Sequence, residues 1–408
     1  MNLRLRCSEI KKDVQLKISG SKSETNRLLL LQAIFPLLRL ENQSDSDDSI
    51  AMRNALKPNK DYIDIGHAGT AMRFLTAYFA TQPNRSVILT GSARMKERPI
   101  KILVDALTQL GCSIRYLEKD GFPPLQIDGR KIEKFVVAID ADVSSQYISA
   151  LLLVAPSLPN GLRLTLNGEI TSKPYIKMTL ALLEQIGAGT IFDENSITVS
   201  PHQLLTPTTV VVESDWSSAS YFYSIVALSP AGTQVALSSF RQSSLQGDSN
   251  LVTLYERLGV DTKFEQNTII LTRQNRQLSA INCSLHDTPD LAQTIAVTCL
   301  GLGLECKLTG LHTLQIKETN RLVALKNELE KVGGKVEVTS NSLHLAASSE
   351  LFENASIKTY DDHRMAMAFA PLAVLIPIII EDADVVSKSY RAFWKDLAIL
   401  GFDFDKQP

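Results

Sequence analysis

The stretch ISGSKSETNRLLLL, residues 18–31, sets Lys22 and Arg27 among serines, a threonine and an asparagine, directly ahead of a run of leucines. One serine suffices to cap a helix that then enters a core, so the lysine and arginine exceed structural need and point to an anionic ligand. The arrangement recurs. GHAGTAMRFL (66–75), SSQYISALLL (144–153), SKPYIKMTL (172–180), SSASYFYSIV (217–226), DTPDLAQTIAV (287–297), KETNRLVAL (317–325) and DDHRMAMAFA (361–370) each place small hydroxyl or charged residues immediately before a strongly apolar helical stretch. Helix N-termini carry unpaired N–H groups and a partial positive charge, so several brought together make an anion site with little net charge. Lys22, Arg27, Arg98, Lys317, Arg321, Arg364 and Lys388 would add formal charge to it, and a small polyanionic substrate is the reading that follows.

Taken singly, several of these residues have plainer roles. Ser144 and Ser217 read as N-caps, RMKERP (94–99) as a solvated basic turn, and His363 as a packed histidine. The triplet Asp362–His363–Arg364 is harder to dismiss, because three ionisable side chains lead into the most apolar helix of the chain and charges are rarely buried unless paired. Missing motifs narrow the chemistry further. GSKS copies part of a phosphate-binding loop but GxxxxGK[ST] is not satisfied, and there is no GxGxxG after a strand, no HExxH, no zinc-type His/Cys spacing and no GxSxG elbow. Neither a nucleotide, a metal nor any other cofactor is expected.

The 408 residues are too many for one ordinary core and predict two or three domains. With 42 basic against 44 acidic residues, net −2, the chain lacks the basic excess of a nucleic-acid-binding surface. Cys7, Cys112, Cys283, Cys299 and Cys306 are odd in number and lack CxxC spacing, which reads as reduced thiols in a cytoplasmic protein. The N-terminus has no apolar core of signal-peptide length, which argues against export. The uncharged stretch from Met365 to Ile380 falls short of the roughly 20 residues that span a bilayer, and Pro371 and Pro377 interrupt it. A buried helix followed by a buried strand is predicted there, with no membrane partner.

The elements that must position the polar clusters repeat themselves. ILVDALTQLG, MTLALLEQIG, LVTLYERLG, LKNELEKVG and FWKDLAILG end at Gly111, Gly187, Gly259, Gly333 and Gly401, each with an apolar residue one and four positions before the glycine. That is the stripe of an amphipathic helix closed by a residue able to take positive φ. The glycines recur at roughly 70-residue intervals, long enough for a repeated supersecondary unit. TIFDENSITVS, TKFEQNTIILT and KVEVTSNSLHLAA then read as hairpins. NRLLLLQAIFPLL reads as a degenerate first copy, making six helix-plus-hairpin units in two domains of three. No linker separates the halves, and VVVESDWSSAS around Glu213 is the best boundary.

GSKSETNR, GHAGTAMRFL, TGSARMKERPI, SSQYISALL, SKPYIKMTL, ESDWSSASYF, QGD, TPDLAQTIA, KETNRL and DDHRMAMAFA stand in the order found in the 5-enolpyruvylshikimate-3-phosphate synthase family, which the chain resembles from Gly20 to Lys388. The resemblance implies an α/β fold of two inside-out barrels, each of three helix-plus-sheet repeats, with helices inside, sheets outside and the active site in the cleft between domains. It sets the domains at 20–213 and at 1–19 with 214–408. It implies transfer of the enolpyruvyl group of phosphoenolpyruvate to the 5-hydroxyl of shikimate 3-phosphate, by a cytoplasmic monomer whose partners are these small molecules. Carried over by position, Asp290 is the base near the 5-hydroxyl, Glu318 the proton carrier at the methylene carbon, and Lys22 the partner in proton transfer at the bridging oxygen. Lys22, Gly69, Arg98, Gln146, Arg321, Arg364 and Lys388 are implied at phosphoenolpyruvate. Lys22, Ser23, Arg27, Ser144, Ser145, Gln146, Ser172, Tyr175, Asp290, Thr313 and Lys317 are implied at shikimate 3-phosphate.

Three positions depart from the family's pattern: His67 and Thr313 stand in place of Asn, and Asn320 in place of Asp. A non-catalytic anion-binding relative would fit those changes. The enolpyruvyl transferase that uses UDP-N-acetylglucosamine fits less well, because its pattern has Lys-Asn where Lys22-Ser23 stand and a cysteine where none lies between Thr90 and Arg98.

Overall fold

The computed structural model describes residues 1–58 and 60–407; Asn59 and Pro408 lie outside the described residues. The chain divides into two compact units, Gly20–Val212 and Met1–Ser19 with Glu213–Pro408. The first holds helices α1 (Lys22–Ile34), α2 (Asp47–Ala55), α3 (Gly69–Ala80), α4 (Ala93–Lys96), α5 (Lys101–Gln109), α6 (Ser145–Val154) and α7 (Lys173–Gln185). The second holds α8 (Trp216–Leu228), α9 (Leu251–Glu256), α10 (Ala292–Gly301), α11 (Arg321–Lys331), α12 (His363–Phe369) and α13 (Phe393–Leu400).

Among the described residues the strands form six sheets, three in each unit, and the five complete sheets are built alike. Val136–Asp140 pairs in parallel with Leu162–Asn167 across the buried helix α6. Helix α7 then leads into the hairpin Thr190–Asp193 and Ser196–Val199, whose second arm closes antiparallel on Leu162–Asn167. Hairpins also form at Val260–Glu265 with Thr268–Arg273 and at Lys335–Val338 with Ser342–Ala346, as their turn residues predict. The five glycines that close the second helices all have positive φ, from 83° to 111°.

NRLLLLQAIFPLL requires a correction. It forms α1, which leads into Leu38–Glu41, a strand paired in parallel with Thr208–Val211, and so corresponds to α3 and α6, not to the glycine-closed helices. Its companion is α2, and no hairpin follows α2, which leaves this sheet with two strands.

Two other strands come from the amino terminus. Val14–Lys17 lies parallel to Gln234–Ser238, and Asn2–Leu5 lies between Ile378–Ile380 and Phe404–Gln407. Residues 1–19 thus complete two sheets of the unit that resumes at Glu213. Glu213 belongs to that unit too, its buried carboxylate accepting from Trp216 Nε1 (2.8 Å), the Arg241 amide (2.8 Å) and Ser244 Oγ (2.6 Å).

Each unit is inside-out because of how its elements are patterned. Helix α6 buries every residue except Gln146, α8 every residue except Ser217, and α12 all of its residues. A helix apolar on all sides is stable only when enclosed. The strands alternate instead: Leu162, Leu164 and Leu166 face inward while Arg163, Thr165 and Asn167 face water, the pattern of a sheet with one wet face. Met365 to Ile380 folds as the end of α12, a 3₁₀ turn and a strand, so its apolar character serves the core. No helix among the described residues is long and apolar enough to cross a membrane.

Candidate active site

In the unit Gly20–Val212 the crossover helices α1, α3 and α6 start side by side, with α7 packed against them. Gln146 Nε2, on the second residue of α6, reaches Thr70 Oγ1 on the second residue of α3 (3.5 Å). Ser144 caps α6 by accepting from the Gln146 amide, and Ser145 beside it is buried. Ser172, at φ 51°, turns the chain into α7 without capping it.

Arg27, one turn into α1, is 2% exposed. Its Nε donates to Thr179 Oγ1 (2.8 Å), its Nη1 to the Ser23 carbonyl (2.9 Å), and its Nη2 to Ser149 Oγ (3.1 Å) and the Tyr175 carbonyl (3.4 Å). The Phe74 and Tyr175 rings lie 5.3 and 5.8 Å from the guanidinium carbon. All four oxygens are neutral, and burial brings the guanidinium down to about 10, against the pull of Tyr175 and Glu24. A buried cation held by neutral acceptors favours an anionic ligand.

Arg98 lies across the first turn of α3, where a Cβ on Gly69 would stand 2.5 Å from its Nη1. A side chain at position 69 would push the guanidinium from this place. The buried Nε of Arg98 has no hydrogen-bond partner among the described residues. Arg73 brackets the same place, with Nη1 on the Gly69 carbonyl (3.2 Å) and Nη2 on the Pro99 carbonyl (3.1 Å). Lys22 Nζ, at the start of α1, lies 3.2 Å from Asp48 Oδ2 on α2. His67 pairs through Nδ1 with Ser92 Oγ (3.1 Å), the cap of α4.

The second unit repeats the device with carboxylates added. Ser217 stands at the start of α8, Asp290 in the turn Pro289–Leu291 before α10, and Arg364 at the start of α12. Arg364 Nη2 donates to Asp290 Oδ2 (2.9 Å) and Ser217 Oγ (3.4 Å), and Nη1 to the Asp290 carbonyl (3.3 Å). Arg321, the first residue of α11, divides its guanidinium among three carboxylates. Nη1 reaches Asp290 Oδ1 (2.9 Å), Nη2 Glu318 Oε2 (2.8 Å), and Nε Asp362 Oδ2 (2.5 Å). Asp362 also caps α12 through the Arg364 amide (2.9 Å). Lys317 Nζ lies 3.7 Å from Asp290 Oδ1, and Lys388 Nζ donates to the Asp361 carbonyl (2.6 Å).

The electrostatics follow from these partners. Burial works to raise the Asp290 carboxyl, but Arg364, Lys317 and Arg321 outweigh it and hold the group well below the usual carboxylate range. Burial likewise works to lower Arg321, and Asp362, Glu318 and Asp290 more than reverse it. One guanidinium therefore orients two carboxylates suited to acid/base work, while three cations surround one of them.

Of the residues expected from sequence, Asp290, Lys317, Glu318, Arg321 and Arg364 come together in this unit, and Ser23, Arg27 and Tyr175 in the other. Thr313 is buried nearby in the chain, and its Oγ1 has no partner among the described residues. Asn320 still caps α11 by accepting from the Val323 amide (3.4 Å), so the change from Asp leaves the cap in place. Sequence reasoning missed Asp48, which sits in the acidic run SDSDDS. It foresaw that the buried charges of the Asp362 triplet need pairing, but not that Asp362 meets Arg321, 41 positions away.

Each inside-out α/β unit starts its buried helices beside cationic side chains, and the second adds two oriented carboxylates, an arrangement suited to holding an anion. The fold is that of EPSP synthase from Acinetobacter baumannii (TM-score 0.78, 19% identity, covering 99% of this chain and 100% of that one). It is also that of the enolpyruvyl transferase NikO from Streptomyces tendae (TM-score 0.76, 14% identity, 99% and 98%). Residues 37–397 match the family model described as EPSP synthase (3-phosphoshikimate 1-carboxyvinyltransferase). Relatives with the name 3-phosphoshikimate 1-carboxyvinyltransferase include one from Bacteroides fragilis, 46% identical over 402 residues (97% of this chain, 96% of the relative). Another, from Vibrio cholerae, is 36% identical over 416 residues (95% and 96%). The chain belongs to the EPSP synthase (3-phosphoshikimate 1-carboxyvinyltransferase) family.

Proposed function

We propose that this protein transfers the enolpyruvyl group of phosphoenolpyruvate to the 5-hydroxyl of shikimate 3-phosphate, releasing phosphate, on the shikimate route to chorismate and aromatic amino acids. The observation that carries the reading is Arg321 holding Asp290 and Glu318 together, with Arg364 and Lys317 on the same Asp290 carboxylate. The reaction needs this combination, since one proton leaves an oxygen while another reaches a carbon between strongly anionic reactants.

In this reading the 5-oxygen bonds to C2 of phosphoenolpyruvate as its proton passes to Asp290, and Glu318 protonates the methylene carbon. The tetrahedral intermediate then expels phosphate with Lys22 supplying a proton at the bridging oxygen, and Glu318 recovers the proton from the methyl group. Gly69, Arg98, Gln146, Arg321, Arg364 and Lys388 serve phosphoenolpyruvate. Ser23, Arg27, Ser144, Ser145, Ser172, Tyr175, Thr313 and Lys317 serve shikimate 3-phosphate. Asp290 is a weak base while its carboxylate is clamped by cations. Incoming phosphate and carboxylate groups compete for Arg364 and Arg321, which restores basicity when substrate is present. The reading includes a cytoplasmic monomer without metal or cofactor.

The test is phosphate release from phosphoenolpyruvate plus shikimate 3-phosphate, beside the same assay with UDP-N-acetylglucosamine as acceptor. Release with the first acceptor alone is expected. Release only with the second, or with neither, overturns the reading.

A further inference from the structure

Beyond the groups assigned above, one buried carboxyl touches the cluster without belonging to it. Asp248 lies in the turn Gly247–Asn250 ahead of α9, 3% exposed. Ser217 donates to its Oδ2, and the same Ser217 oxygen accepts from Arg364 Nη2 (3.4 Å). A hydroxyl has one proton, so Ser217 points it at Asp248 and its lone pair at Arg364. The relay thus runs in one direction. The other carboxyl oxygen of Asp248, Oδ1, is buried without a partner among the described residues.

The charged groups facing Asp248 are Asp290 from the turn before α10, Asp215 at the cap of α8, and Arg364 from α12. Two are anions, and the cation is already paired with Asp290. Burial first and Asp290 second push the Asp248 carboxyl up to about 7, against Arg364 and the Ser217 hydrogen bond. An ionised Asp248 would add a second carboxylate beside a guanidinium needed by an anionic ligand. A neutral one leaves that charge to Asp290 and the ligand, while Ser217 still fixes the guanidinium in place.

We propose that Asp248 is a positioning residue for Arg364, acting through Ser217. It does so as a neutral carboxyl, which ionises as pH rises. The proposal rests on the assignment of Arg364 to phosphoenolpyruvate. Anion binding favours the protonated form, so apparent affinity for phosphoenolpyruvate falls as the pH passes the Asp248 titration.

The test compares wild type with Asp248→Asn, an isosteric mimic of the neutral carboxyl, from about pH 6 to about pH 9. For wild type, kcat/KM for phosphoenolpyruvate should drop about tenfold by one pH unit above the Asp248 titration, through KM. The Asn variant should keep its low-pH value without that drop. Other titrations, including that of the ligand phosphate, occur in both proteins and cancel in the ratio. Infrared difference spectra of wild type against the variant should show a protonated carboxyl at low pH that is absent at high pH. Parallel profiles in two active proteins, or no protonated carboxyl at low pH, overturn the proposal and leave the function standing. A protein that turns over neither substrate pair at any pH overturns the function, and the proposal with it.

Discussion

Single residues in this protein are defined by what their partners leave uncompensated. Arg27 and Arg98 are both buried cations, yet Arg27 is held by hydroxyls and carbonyls around α1, α6 and α7, whereas Arg98 lies against Gly69 on α3. Each charge-assisted hydrogen bond to a ligand is worth roughly 1.5–3 kcal/mol. Arg27→Ala should therefore raise KM for shikimate 3-phosphate chiefly, and Arg98→Ala KM for phosphoenolpyruvate chiefly; equal losses for both ligands in both variants would contradict the assignment. Asp290→Asn should cut kcat by about 10²- to 10⁴-fold, the usual cost of a lost general base. Steady-state turnover close to wild type would remove Asp290 from the chemistry.

At the scale of elements, the starts of α10, α11 and α12 are tied to one another by ion pairs. Asp362 is fully buried and serves Arg321 and the first turn of α12 together. Removing one partner of a buried pair costs about 3–5 kcal/mol, so Asp362→Ala should lower the denaturation midpoint strongly. Asp362→Asn keeps an acceptor for the Arg364 amide and should cost less; equal losses in urea titrations would show that the charge, not the cap, matters. Acid acts on the same cluster. The Asp290 carboxyl is lowered in the folded state, so its stabilisation is complete above the usual value of about 4 and fades as pH falls toward the folded value. The stability gap between wild type and Asp290→Asn should thus be widest near neutrality and shrink below about pH 4, and a gap that grows in acid would reverse the sign of the argument.

At the scale of the whole molecule, residues 1–19 fold with a unit that begins again at Glu213, because Asn2–Leu5 is an interior strand of one sheet and Val14–Lys17 completes another. Deleting residues 1–19 should abolish the cooperative melt of that unit, while Gly20–Val212 alone should keep a cooperative melt and helical circular dichroism. Two surviving transitions in the truncated chain would show that these strands are dispensable. The repeats, the glycine-closed helices, the hairpins and the polar helix starts were all legible in sequence. Each is set by residues within one or two turns of one another, through apolar period, turn chemistry and positive φ. Arg27 was legible as a charge beyond structural need, whereas Asp290 and Glu318 were legible only through the family resemblance. The degenerate first copy was misplaced because α1 is buried on all sides from Glu24 to Leu31 and no period tells a crossover helix from its companion. The sequence by itself determined the units and the ends at which their polar residues collect. Only the tertiary structure decided that Asp48 meets Lys22, that Asp362 meets Arg321, and that Ser217 joins Asp248 to Arg364. Those pairs lie on different repeats or different helices, where register between elements, and no local pattern, sets which charges face one another.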